Sequence, residues 1–147
     1  IRHIVSVAFG RPNEAILVDM LRHSGDLVAS RVALDGEEVV GHVALSRLKS
    51  PAGGVALAPL AVVASHRRQG IASALVKDSI AIARRAGHDM IFVLGDPDYY
   101  ARFGFTAGAA QPFASQFSGP HLMAIQLADI APQAAELEYA EPFDDLE

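Results

Sequence analysis

The sequence predicts one α+β domain, and three observations carry that prediction. Two runs rich in β-branched residues are separated by Asp35-Gly36, a dipeptide suited to the positive φ of a tight hairpin. A strand, a polar turn, an amphipathic helix and a second strand then follow one another from Val55 to Leu94. Finally, the elements run helix, hairpin, strand, helix, strand, short helix, strand, with no repeat and no low-complexity linker between them. The 147 residues, 51% of them hydrophobic, suffice for one core. Residues 1–147 are therefore read as a single domain with an acidic tail from about position 131 to 147.

Each element has a local reason. In "RPNEAILVDMLRHSG", Asn13 suits an N-cap, Glu14 the first turn, Ile16, Leu17, Met20 and Leu21 an apolar face, and Gly25 the stop. "LVASRVALDGEEVVGHVALSRL" is the antiparallel pair. "GGVALAPLAVV" is a strand whose almost unbroken apolar run implies burial on both faces, while Pro59, lacking an N–H, implies a bulge or a local loss of pairing. From Gly70 to Ala86 the polar Lys77, Asp78, Arg84 and Arg85 alternate with Ile71, Leu75, Val76, Ile80 and Ile82 at helical spacing, and Gly87 ends the helix. "DMIFVLG" is a buried strand, "DPDYYARFG" a short helix capped by Asp96 with Pro97 at its first position, and "HLMAIQLA" a late strand. The tail reads as irregular or edge structure, packed by Tyr139 and Phe143.

Composition excludes several chemistries. With no cysteine there is no disulfide, thiolate metal site or cysteine nucleophile, which fits a reducing, cytoplasmic setting. No apolar run is long enough to span a bilayer as a helix, so no membrane partner is expected. A net charge of −5, from 17 acidic and 12 basic residues, disfavours a nucleic-acid surface. His3, His23, His66, His88 and His121 are scattered without ligand spacing, so no metal is expected. Ser46 and Ser65 lack the setting of a nucleophile elbow.

Positive charge nevertheless gathers in "SHRRQGIASAL", Ser65 to Leu75. Such a stretch reads either as a solvated turn or as an anion site. The first N–H groups of a helix have no intrahelical acceptor, and the aligned peptide dipoles add roughly half a positive charge at that end. Gly70 lacks a Cβ and lets an anion approach the main chain. The stretch is neither a P-loop nor a G-x-G-x-x-G turn.

Arg67-Arg68-Gln69-Gly70-Ile71-Ala72 resembles the Q/R-x-x-G-x-G/A signature of the Gcn5-related N-acetyltransferases (GNAT). It follows Leu60-Ala61-Val62 in the place of that family's "LAV" strand, and Tyr100-Ala101-Arg102-Phe103-Gly104-Phe105 matches its later Y-x-x-x-G-F. The resemblance covers nearly the whole chain, and "VLGDPDYYARFGF" is similar to the YhbS-like subgroup of bacterial acetyltransferases. It implies a mixed, mostly antiparallel twisted sheet, splayed in the middle and flanked by helices. It further implies acetyl-CoA as donor, an amine as acceptor and direct transfer between them.

Residue by residue, the resemblance implies that the main chain of Leu60, Ala61 and Val62 pairs with the pantetheine arm. It implies that the backbone of Arg68, Gln69, Gly70, Ile71, Ala72 and Ser73 cradles the pyrophosphate, with the Arg67 and Arg68 side chains near the phosphates. Tyr100 would protonate the departing thiolate, while Tyr99 would simply pack. The strand "GVALAPLAVV" has no Glu or Asp, so the glutamate base of histone-type members has no counterpart. The remaining candidates for a base are His42, read first as a packed strand histidine, Asp96, read first as a cap, Asp98, and a water chain. Phe9, Arg22, Ser46 and Phe113 are acceptor-side possibilities. A homodimer is the default assembly. A catalytically weak acyl-CoA-binding or sensing module is the alternative to an enzyme.

Overall fold

A computed structural model of the chain describes residues 20, 22–129 and 133–140. Met20 and Arg22–Ser24 are helical and Gly25 turns the chain at φ +82°, so the described end of the first expected helix stops where its glycine predicts. The rest of that helix, Phe9 and Phe143 lie outside the described residues.

The first strands are β1 (Leu27–Asp35), β2 (Glu38–Arg47) and β3 (Gly54–Val62). The helix α1 (Ile71–Arg85) leads to β4 (Met90–Leu94), followed by α2 (Pro97–Tyr100) and the 3₁₀ turn Ala101–Phe103. After a one-turn helix, α3 (Ala107–Ala110), come β5 (Phe113–Ala114), β6 (Leu122–Gln126) and β7 (Ala135–Glu136). The main sheet has the order β1-β2-β3-β4-β6, and β5 and β7 form a small parallel pair. In the main sheet only β3 and β4 run parallel, as a strand–helix–strand crossover requires.

The hairpin closes with Asp35 opposite Glu38 and Gly36 at φ +62°. Successive residues of β3 and β4 face opposite sides of the sheet, which explains their unbroken apolar runs. Val55, Leu57, Ile91 and Val93 join Leu75, Val76, Ile80 and Ala83 of α1 in one core. Ala56, Met90 and Phe92 join Ala110, Phe113, Leu122 and Leu137 in a second core on the other face. An exposed ion pair, Arg31 Nε to Asp78 Oδ2 at 2.8 Å, ties β1 to α1 and contributes at most about 1 kcal/mol.

The sheet is complete at one end and open at the other. β3 pairs with β4 only through Gly54, Val55 and Ala56. Beyond that point β3 stays bonded to β2, with Val43 opposite Leu60 and Gly41 opposite Val62, and has no partner among the described residues on its other side. The register slips between Leu57 and Leu60, which places the bulge at Ala58-Pro59 as the missing proline N–H implied. Burial on both faces therefore holds only for part of the strand. Gly54 to Leu57 are buried, whereas Leu60, Ala61 and Val62 are half-exposed.

The late segment carries more structure than its composition suggested. Thr106 caps α3 by accepting from the Ala109 N–H. The tail contributes β7 and a bridge from Glu138 to Ser50. Tyr139 packs against Phe117, ring centres 6.1 Å apart.

Candidate functional site

The open end of the sheet continues into the loop Val63–Gly70. The Val63 N–H donates to Val40 O at 2.9 Å, so the loop stays fixed to β2. A short 3₁₀ turn, Ala64–His66, follows. His66 Nε2 lies 2.9 Å from Asp35 Oδ2 and its Nδ1 lies 2.8 Å from Ser65 Oγ. A carboxylate only accepts, so Nε2 carries the hydrogen in that contact. The tip of the β1–β2 hairpin is thereby tied to the loop.

Two residues then take left-handed backbone, Arg68 at φ +64° and Gly70 at φ +82°. Gly70 is the N-cap of α1, and a Cβ built on it meets no atom within 4 Å. The glycine is thus required by backbone conformation rather than by a tight contact, and the space around it is open. The Ala74 N–H is the first to bond back into the helix, to Gly70 O at 3.0 Å. Those of Ile71, Ala72 and Ser73 precede that ladder and point out of the helix end.

These groups border a cleft of about 390 Å³ lined by Val62, His66, Arg67, Arg68, Gly70, Ile71, Ala72, Ser73, Tyr99 and Arg102. Most of the expected phosphate-binding stretch is therefore brought together. Leu60 and Ala61 lie outside this lining, further along the free edge of β3, and Gln69 lies outside it and is exposed. Arg67 Nε donates to Val62 O at 3.2 Å, closing the loop onto the strand end.

The tyrosines divide differently from the sequence reading. Tyr99, expected simply to pack, faces the cleft, its hydroxyl 3.3 Å from Ser73 Oγ. Tyr100 does not line the cleft. It packs edge-on to Tyr99 and Phe105 at ring-centre distances of 5.1 and 5.8 Å. Its ring also lies against Gly95, where an added Cβ would come within 2.6 Å of the ring. Gly95 follows the last residue of β4, so the Tyr100 ring packs on the chain just beyond the end of that strand. Burial, with Tyr99 beside it, pushes the Tyr100 phenol up to about 12. His66, Tyr99 and Arg102 are cleft residues that sequence reasoning did not assign to it. The only available signal was their adjacency to the two motifs.

His42 is 1% exposed and its Nε2 lies 2.9 Å from Ser30 Oγ. Burial above all, helped by the Arg22 charge, lowers its pKa to about 4, so the ring is neutral at neutral pH. Asp96 is a cap, its Oδ1 accepting from the Asp98 N–H at 3.0 Å. Ser46, opposite Ala56 of β3, keeps a fully buried hydroxyl with no hydrogen-bond partner among the described residues. Phe113 is buried edge-on to Phe92 at 5.2 Å. Among the described residues no group of three or more His, Asp or Glu is placed to hold a metal, and no helix is long and apolar enough to cross a membrane.

A second cavity, of about 520 Å³, opens beside α3 and the start of β6. Its lining includes Ala110, Gln111, Ser118, Pro120 and Leu122 and carries no charged side chain.

The profile of the acetyltransferase (GNAT) family matches residues 3–105. The uncharacterised N-acetyltransferase YhbS of Escherichia coli K12 is 34% identical over 145 residues, 92% of this chain and 86% of the relative. The crystal structure of E. coli YhbS in complex with CoA superposes with a TM-score of 0.84 at 32% identity, covering 97% of this chain and 84% of that one. A GNAT family acetyltransferase from Brucella melitensis in complex with acetyl-CoA gives a TM-score of 0.79 at 28% identity, covering 98% of this chain and 90% of that one.

Proposed function

The chain belongs to the acetyltransferase (GNAT) family, and on that premise we propose that it transfers the acetyl group of acetyl-CoA to a primary amine of a small molecule or protein. The observation that carries this reading is the free edge of β3 from Leu60 to Val62 running into the N-terminus of α1. A strand without a partner accepts an extended, amide-containing chain as an added strand. A helix end with unpaired N–H groups accepts a phosphate. One feature lies at the end of the other, in the order in which pantetheine and pyrophosphate are joined. YhbS and the Brucella enzyme were crystallised with CoA and acetyl-CoA respectively, which supports the same assignment.

In this proposal the main chain of Leu60, Ala61 and Val62 holds the pantetheine arm. The N–H groups from Arg68 to Ser73, through Gln69, Gly70, Ile71 and Ala72, hold the pyrophosphate, and Arg67 and Arg68 add charge beside it. When bound, acetyl-CoA supplies an activated thioester and a thiolate leaving group. A backbone N–H near Val62 stabilises the oxyanion that develops as the amine attacks.

Tyr100 donates a hydrogen bond to the departing sulfur. A phenol held near 12 keeps its proton throughout the physiological range. Because that value lies above an ordinary thiol, about 8.5, Tyr100 acts mainly by donating the hydrogen bond, and the thiolate need not take the proton outright. The acidic balance of the chain suits a cationic acceptor that must shed a proton before attack. No dedicated base is assigned, because the strand carries no carboxylate and His42 is engaged by Ser30.

The test is to follow release of free CoA from acetyl-CoA with a panel of primary amines. Release above background with at least one acceptor is expected. Tight CoA binding with no release for any acceptor would replace the enzyme by a binding or sensing module.

A further inference from the structure

Arg102 sits in the 3₁₀ turn after α2, where its guanidinium carbon lies 4.6 Å from the centre of the Tyr99 ring. Tyr99 is in turn anchored by its hydroxyl to Ser73, in the first turn of α1. The cation is therefore positioned by a ring that is itself fixed to the helix end, and it borders the same cleft as Arg67 and Arg68. Arg31 has Asp78 and His66 has Asp35, but no carboxylate among the described residues pairs with Arg102. Three arginines and a helix N-terminus border the same cleft, and like charges gathered this way repel unless an anion joins them.

We propose that Arg102, held over Tyr99, contacts a phosphoryl group of the acetyl donor in the cleft that the α1 N-terminus borders. This rests on the acetyl-CoA reading and extends it to residues outside the phosphate-binding signature. A planar guanidinium braced on a ring loses little freedom when it bonds a phosphate.

The experiment is calorimetric titration of the wild type, Arg102→Ala and Arg84→Ala with CoA and with dephospho-CoA, over a range of sodium chloride concentrations. Circular dichroism confirms that the exposed substitutions leave the fold intact. Arg84 lies in the last turn of α1, about 20 Å from its start, and controls for net charge. Arg102→Ala is expected to weaken CoA about tenfold and to flatten the salt dependence of binding, while Arg84→Ala changes neither. Loss with CoA alone assigns the contact to the 3′-phosphate, and equal loss with both assigns it to the pyrophosphate. CoA affinity within twofold of wild type, a loss with unchanged salt dependence, or an equal loss in Arg84→Ala overturns the proposal. Failure of the wild type to bind CoA would instead remove the donor reading on which it rests.

Discussion

The two halves of β3 have similar composition and opposite fates. Gly54 to Ala56 are bonded on both sides and buried, with Val55 and Ala56 feeding separate cores. Among the described residues Leu60 to Val62 are bonded on one side only, and they are half-exposed. Apolar character alone does not distinguish them. The difference arises because β4 ends at Leu94 and gives way to the capped α2, while Pro59 interrupts the ladder toward β2. The closed half should therefore govern stability and the open half binding and turnover, and substitutions in each can be set against one another.

The largest expected effect belongs to the closed half. Phe92→Ala removes a fully buried ring that packs on Phe113 and should cost about 3–5 kcal/mol in chemical unfolding. The molecules that remain folded should bind CoA as before. A comparable loss of CoA affinity in the folded fraction would blur the division.

Next comes the pH dependence of stability, through His42. Its folded pKa, about 4, lies below the ordinary 6.5, so between these values the unfolded chain binds more protons. Stability from this group is present above pH 6.5 and is lost as pH falls toward 4, by up to about 3 kcal/mol. His88, lowered mainly by burial, acts in the same direction. Urea midpoints measured from pH 7 to 4 should fall less steeply in His42→Gln than in wild type. An identical slope would show that burial of His42 is not what destabilises the acidified protein.

Tyr100→Phe tests the open end. It keeps the aromatic packing with Tyr99 and Phe105 but removes the hydroxyl, and should lower kcat about 100-fold with CoA affinity and melting temperature little changed. Wild-type turnover in this variant would remove Tyr100 from the mechanism. Ser46→Ala is expected to have the smallest effect. Deleting a buried hydroxyl that has no partner among the described residues should change stability by less than about 1 kcal/mol, in either direction. A larger loss would mean that the hydroxyl is satisfied by a group outside the described residues.

The order of elements, the capped helices and the glycine turn that opens α1 were legible because each rests on local chemistry. Gly36, Gly70 and Gly87 all take the positive φ their positions call for. Asp96 caps, and Pro59 marks a bulge. What escaped the sequence depends on contacts between distant segments. Tyr99 and Tyr100 are neighbours with the same side chain, and only the packing of Gly95 against one and Ser73 against the other separates their roles. Arg102 is an ordinary surface cation until Tyr99 is seen beneath it. α3 and the β5–β7 pair are too short to leave a periodic signal.

The central claim is that the backbone around Gly70 holds the phosphates of acetyl-CoA, and calorimetry on wild type and Gly70→Glu tests it most directly. The substitution places a side chain at φ +82°, a modest strain of about 1–2 kcal/mol. It also puts a carboxylate on the N–H groups that would meet the pyrophosphate. Wild type should bind CoA, and the variant, still folded, should bind it at least 100-fold more weakly. Unchanged affinity in a folded Gly70→Glu protein would contradict the account.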